Sequence, residues 1–480
     1  MIELLEAPVS ELTWRIRRRQ LSPVELVGAH IARIEAVNPA LNALVGERFD
    51  RAMDEARAAE ARLARAQASE LPPLFGMPCT IKEFFEVEGL PHTGGLVARR
   101  GIVGRTDCTV VARLRAAGAI VLGVTNVPEG GMWMETHNKL HGRTNNPWDL
   151  QRTPGGSSGG EGALIGAGAS PFGIGSDIAG SIRIPAAFCG IVGHKPTGRL
   201  VPNTGHWGPD GGSTGPFLAA GPMARQVGDL ERILSIIAGP DGRDRDTVAC
   251  ELPSAASSEL GEVTVFPVES IGGLPVRASM RAEVRKATDT LVGAGAKLGS
   301  LNAPLLDRAF AIWAAAMTEA GHGGPTFAEL LGDGSPISLA RETALTFAGR
   351  SNITVPALAL ALLERVTSFL PRSLGRGVPK PAALQAELEA QLGPRGVLLV
   401  PPYTRPAPRH RMALLTPFHF LGTGVFNLAE LPVTQVPTGF DRRGLPLGLQ
   451  VVGRRGNDRL TLMIAGVLEE AFGGWRRAMA

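Results

Sequence analysis

The chain has 480 residues, 44% of them hydrophobic and 20% charged. That is ample for a large buried core and excludes a disordered or fibrous protein. The net charge of +4 rests on arginines scattered among acids, a pattern of solvated faces that excludes a nucleic-acid-binding stripe.

The densest basic run, Arg15, Arg17, Arg18 and Arg19, is short and interrupted, and reads as a surface helix. Acids at Glu3, Glu6 and Glu11 break the apolar stretch that a signal peptide needs. Ser22-Pro23 opens a helix, with serine as N-cap and proline at the first helical position. Leu26, His30, Ile31, Ile34 and Val37 follow at helical spacing, and Asn38-Pro39 is expected to end the helix. A second helix covers roughly 50–69, with charge pairs four residues apart.

After Pro72-Pro73 short apolar runs alternate with helical stretches. MPCTIK (77–82), AIVLGVTN (119–126), FGIGSD (172–177), VTVF (263–266), GVLLVPP (396–402) and PVTQVP (432–437) read as strands. Residues 109–117, 279–292 and 458–471 read as helices, and the Gly- and Pro-rich stretches 205–215 and 321–335 as ordered surface loops. There is no internal repeat and no long linker. The expectation is one α/β domain over 1–480, with the helices of 1–70 packed on its core. The longest apolar run within a predicted helix, Val355 to Leu363, is too short to span a bilayer. Cys79, Cys108, Cys189 and Cys250 form no CxxC pair and sit in apolar contexts. They predict buried free thiols, no metal site and a reducing, cytoplasmic setting.

Residues 153–183, TPGGSSGGEGALIGAGASPFGIGSDIAGSIR, carry far more glycine and serine than a core needs. A phosphate-binding loop would end in Gly-Lys-Ser/Thr, and this segment has no lysine. A dinucleotide fingerprint would open a βαβ unit with an acid about twenty residues on, which does not follow here. Gly156-Ser157-Ser158-Gly159-Gly160 comes close to a nucleophile elbow but would need a histidine base. The nine histidines offer none: His30 lies on a helix face and the others in loop-like contexts. Lysine can activate a serine if burial populates its neutral form. Lys82 closes the apolar run MPCTIK and precedes Glu83-Phe84-Phe85, so it is poorly solvated.

These residues resemble the amidase signature family, whose hydrolases use a Ser–cis-Ser–Lys triad. The match runs from Gly155 to Glu161 and from Gly173 to Pro185. It extends to Ser22-Pro23, Thr80-Ile81-Lys82, Gly193-His194-Lys195-Pro196-Thr197, and Asn427-Leu428-Ala429 through Gln450, and is weakest from about 240 to 395. The resemblance implies a single large domain with a central mixed, twisted sheet covered by helices on both faces. It implies Ser181 as nucleophile, Ser157 as bridging serine with a cis peptide bond, and Lys82 as base. Neutrality of Lys82 near pH 7 requires a pKa lowered by roughly 3 units, about 4 kcal/mol, and predicts an alkaline optimum. Ile178, Ala179, Gly180 and Ser181 are implied as the oxyanion hole, with Ala179 where the family usually has glycine. Ser158 and Ser176 read as local hydrogen-bonders, and Asp177 and Arg183 as a buried structural pair. Thr153 and Glu161 have no separable role.

Within the family the chain is similar to the fatty acid amide hydrolase branch, through Thr125 to Pro128, Asn145 to Trp148 and Phe188 to Ile191. Gly131, Met132, Trp133 and Met134 fall where that branch lines its acyl pocket, either as lining or as plain core. Residues 352–374, at the place of the branch's membrane-docking cap, suggest a substrate-entrance lid over about 335–380, or else a core helix. The expected activity is amide hydrolysis through an acyl-enzyme on an apolar or aromatic substrate, with esters and carbamates (urethanes) open. The partner is then a small molecule and the chain a monomer or homodimer, with no cofactor. The alternatives are an amidotransferase subunit supplying ammonia to a partner, and a non-catalytic binder on the same fold.

Overall fold

The fold is organised by one mixed sheet of eleven strands. The computed structural model describes residues 2–208, 215–249, 259–321, 324–367 and 377–478. In chain order the strands are β1 (Leu44–Glu47), β2 (Met77–Lys82), β3 (Ala119–Thr125), β4 (His137–Asn138), β5 (Gly142–Arg143), β6 (Phe172–Asp177), β7 (Val192–Lys195), β8 (Ala219–Ala224), β9 (Thr264–Pro267), β10 (Lys297–Leu298), β11 (Gly396–Val400), β12 (Val433–Phe440) and β13 (Pro446–Gly453). The sheet order is β1-β3-β2-β6-β8-β7-β12-β13-β11-β9-β10, and β4 and β5 form a separate hairpin. β2 runs parallel to both β3 and β6, whereas β8 lies antiparallel to β6 and β7.

Strand alternation shows that both faces are covered. Val397 and Leu399 of β11 join one core cluster, while Leu398 and Val400 join another. Likewise Ala119 and Val121 of β3 face one cluster and Ile120 and Leu122 the opposite one. Because side chains alternate, this parity also aims the chemistry. Met77, Cys79 and Ile81 of β2, and Phe172 and Ile174 of β6, belong to one cluster. Thr80 and Lys82, and Gly173, Gly175 and Asp177, therefore share the other face. Lys82 and Asp177 are the last residues of their strands, so they meet at the C-terminal edge of the parallel strands, where α/β sheets carry their sites.

Ser22 caps the helix Pro23–Leu41, its Oγ accepting from Val24 and Glu25 N–H at 3.0 and 3.4 Å. That helix does not end at Asn38-Pro39 as expected but runs on to Leu41. Pro39 forfeits one hydrogen bond in the last turn, a small loss there, and Asn42 in the left-handed region closes the helix. Asn38 Oδ1 then accepts from Ala43 and Leu44 N–H, both at 2.8 Å, turning the chain into β1. The N-terminal region thus contributes an edge strand as well as helices. Cys79, Cys108 and Cys189 are buried free thiols, and Cys250 lies outside the described residues, as do 209–214 and 322–323 of the expected loops. Among the described residues no helix is long and apolar enough to cross a membrane, and no cluster of His, Cys, Asp or Glu is arranged to hold a metal ion.

Candidate active site

The glycine-serine segment is not a loop. After a turn with a cis Gly156–Ser157 bond, helix Gly159–Gly166 packs across the sheet, β6 returns, and a second turn leads into helix Arg183–Cys189. Glycine recurs because the helix and strand approach closely. A Cβ at Gly173 would collide with Glu161 Oε2 and come within 2.9 Å of the Thr80 carbonyl oxygen.

Lys82 is fully buried. Its Nζ lies 2.6 Å from Ser157 Oγ, 3.0 Å from Ser176 Oγ and 3.3 Å from the Ser176 carbonyl oxygen. The Phe84 ring centroid is 4.8 Å from the same nitrogen. Burial lowers the Lys82 pKa from 10.5 to about 7, against the pull of Asp177 and then Glu161, which favour the ammonium. Glu161 is buried one layer behind, accepting from Thr80 Oγ1 at 2.7 Å and Thr125 Oγ1 at 3.0 Å. Burial pushes its pKa up to about 8, against the two threonine hydrogen bonds and Lys82. Its sequence position gave no sign of this role behind the lysine, which depends on Thr80 and Thr125 from two different strands.

The two serine-bearing turns are tied together: Ser158 N–H donates to the Ser181 carbonyl oxygen at 3.1 Å. Ser158 Oγ lies 3.4 Å from both the N–H and the carbonyl oxygen of Ser176. Ser157 and Ser176 are buried, whereas Ile178, Ala179 and Ser181 are half-buried and reach solvent. Thr153 Oγ1 accepts from Gly155 N–H at 3.1 Å and shapes the first turn.

The second turn is organised by Asp177 and Arg183, both fully buried. Asp177 accepts from Gly180 N–H at 2.7 Å, Ile182 N–H at 3.0 Å, and Arg183 through Nε and a terminal nitrogen at 3.0 and 2.9 Å. Its pKa is depressed despite burial, chiefly by Arg183. Arg183 also donates to the Thr423 carbonyl oxygen, Gln450 Oε1 and Asn427 Oδ1 at 3.0, 2.8 and 2.6 Å. Gly180 supplies the left-handed backbone of this turn, with φ of 114°. Ala179 is not among the residues of positive φ, so alanine there meets no backbone penalty. Gly180 N–H is committed to Asp177, while the N–H groups of Ile178, Ala179 and Ser181 have no partner among the described residues.

Residues 131–134 divide. Gly131 abuts the Lys82–Ser157 cluster: a Cβ there would sit 2.8 Å from the Phe84 ring and 3.9 Å from Ser157 Oγ. The Trp133 carbonyl oxygen lies against Gly156, 2.7 Å from where a Cβ would be. Met132 is half-buried in a cluster with Trp207 and the helices of 327–361. Met134 is buried with Ile184, Phe188 and Tyr403, and its sulfur accepts the Tyr403 hydroxyl at 3.1 Å. It serves the core. A second side chain at the site had no signal in the sequence: His206, whose Nε2 lies 2.9 Å from Ser176 Oγ. Thirty residues separate the two, and only the fold brings them together.

The Amidase family profile matches residues 25–462. Fatty-acid amide hydrolase 2-A of Danio rerio is 42% identical over 98% of this chain and 90% of its own length. A glutamyl-tRNA(Gln) amidotransferase component of Anaeromyxobacter sp. (strain K) is 32% identical over 98% of this chain and 97% of its own. The solved structure of 6-aminohexanoate cyclic dimer hydrolase complexed with substrate superposes with a TM-score of 0.79, at 26% identity, covering 99% of both chains. The profile covers most of the chain and the sheet is shared with solved relatives; this chain therefore belongs to the amidase signature family, hydrolases of carbon–nitrogen bonds other than peptide bonds, and is close to the fatty-acid amide hydrolases.

Proposed function

We propose that the chain hydrolyses a carboxamide in two half-reactions, with Ser181 as nucleophile, Ser157 as proton relay and Lys82 as base. The observation that carries this reading is the 2.6 Å contact between a fully buried lysine amine and Ser157 Oγ. A buried amine of lowered pKa can take a proton at neutral pH, which an ordinary lysine cannot. Ser181 adds to the carbonyl carbon as its proton moves to Ser157, whose own proton passes to Lys82. The lysinium returns a proton through Ser157 to the leaving nitrogen, and the C–N bond breaks. Water then adds to the acyl ester by the same route, and Ser181 leaves with a proton.

The oxyanion needs N–H donors already aimed and unspent. The N–H groups of Ile178, Ala179 and Ser181 are unspent among the described residues and are the donors assigned to it; Gly180 contributes its backbone turn, its own N–H holding Asp177. Phe84, Met132 and Trp207 border the cluster and favour an apolar or aromatic substrate, in keeping with the fatty-acid amide hydrolase relative. Esters and carbamates present the same carbonyl, and a carbamate cut here would lose carbon dioxide after hydrolysis. The amidotransferase reading has the weaker likeness; turnover of a simple amide by the purified chain alone would count against it.

A fluorophosphonate should add one adduct by intact mass and place it on Ser181, with none on Ser181→Ala. An unlabelled natural chain, or an adduct that survives in Ser181→Ala, defeats the assignment.

A further inference from the structure

Lys82 faces three oxygens, one more than a neutral amine has hydrogens. Two are on Ser176 and the third is Ser157 Oγ. The amine has two N–H donors and one lone pair. The Ser176 carbonyl oxygen can only accept and takes one hydrogen. Either serine hydroxyl can then take the second hydrogen or donate into the lone pair. The choice decides catalysis: a lone pair occupied by Ser176 is unavailable to Ser157.

We propose that His206 makes this choice, by accepting the Ser176 hydroxyl proton at Nε2 and so reserving the Lys82 lone pair for Ser157. It is a positioning residue acting through Ser176, and the proposal rests on the reading of Lys82 as base. The imidazole is held for the task. Glu86 N–H donates to the Gly205 carbonyl oxygen at 2.9 Å, and Trp207 N–H to that of Phe84 at 2.6 Å. These bonds pin the histidine against the segment that follows Lys82. Its ring meets Phe84 and Phe85 edge-on, at centroid distances of 5.6 and 4.8 Å. Nε2 is 2.9 Å from Ser176 Oγ, a normal hydrogen bond.

An acceptor must stay neutral. Burial, and then the charge on Lys82, lower the His206 pKa to about 3, with the Trp207 backbone opposing and His92 assisting. Lys82 and His92 are the titratable groups that face it. The ring therefore stays neutral across the range in which Lys82 titrates, and accepting at Nε2 requires its one proton to sit on Nδ1.

The test is a double-mutant cycle on kcat with a simple amide. His206→Ala should lower kcat about tenfold, the leverage of one hydrogen bond on a rate, with KM little changed. In a Ser176→Ala background no competing hydroxyl remains, so the same change should cost less than about twofold. His206→Gln, whose amide oxygen can accept, should recover most of the loss. An equal loss in both backgrounds would mark His206 as a packing residue and overturn the proposal, as would no loss in either. Should His206→Ala fail to fold, nitrogen-15 shifts of the ring in the natural chain decide: an unprotonated Nε2 supports the proposal and a protonated one overturns it. Lys82→Met separates the two readings, since its loss of turnover upholds the base whatever the histidine cycle returns.

Discussion

Burial favours the amine of Lys82, while Asp177 and Glu161 favour the ammonium, and a pKa of about 7 means that burial is the larger effect. The displacement from 10.5 corresponds to on the order of 5 kcal/mol, more than the roughly 2 kcal/mol that a desolvated ring face such as Phe84 typically returns to a cation. The sign follows directly. A base works only when unprotonated, so kcat/KM should be level well above pH 7 and fall about tenfold per unit well below it. Lys82→Met, similar in bulk but without the amine, should cost roughly a hundredfold or more. A pH–rate profile on a non-ionising amide checks both; full activity at pH 5 would remove lysine from the mechanism. At this scale Lys82 was legible in the sequence, because a lysine that closes an apolar run and precedes Glu83 and two phenylalanines is poorly solvated. Glu161 and His206 were not, since each acquires its role from residues on other elements. Gly173 was legible as a small residue but not as the space that Glu161 occupies.

At the scale of elements, the buried Asp177–Arg183 pair joins the two halves of the chain. It fixes the turn after β6, and through Thr423, Asn427 and Gln450 it reaches helix Leu421–Leu428 and β13. Removing one partner leaves the other charged and buried, which costs far more than an exposed pair would. Arg183→Met should lower stability by about 3–5 kcal/mol, read as a fall in the urea midpoint. Asp177→Asn combined with Arg183→Met should cost less than the two single changes added, because the uncompensated charge is gone. Additive losses would mean that the pair is not coupled. Element legibility divides along the same line. Strand 172–177 and helices 109–117, 279–292 and 458–471 fall within a residue or so of the observed bounds, since their apolar periodicity is set locally. β8, with the sequence AAGPMA, has little strand propensity and forms because β6 and β7 flank it. Helices Gly159–Gly166 and Arg183–Cys189 lay hidden in a stretch whose glycines mask helical periodicity, though they serve close approach.

Across the whole molecule, helices Phe327–Leu331, Leu339–Phe347 and Val355–Thr367 stand apart from the sheet. Buried residues of these helices cluster with Leu96 and with the half-buried Met132 and Trp207. Residues 368–374 of the stretch read as a lid lie outside the described residues. Polar ties link these helices to the segments around the site: Glu129 accepts the N–H and hydroxyl of Thr354, both at 2.7 Å, and Arg99 meets Asp333 at 2.7 Å. Glu129 is two residues from Gly131, which abuts Ser157. The helices are thus coupled to the Lys82–Ser157 cluster through this short segment. An element with a small core of its own opens at lower cost than a sheet buried on both faces. The lid reading of 335–380 then predicts that trypsin cuts the native chain first in this span, at exposed arginines such as Arg341 and Arg350. A fluorophosphonate adduct on Ser181 should slow that cut, because an acyl-like group against Met132 and Trp207 adds contacts only to the closed arrangement. Cleavage that begins elsewhere, or at a rate indifferent to the adduct, would make these helices a fixed wall of the site.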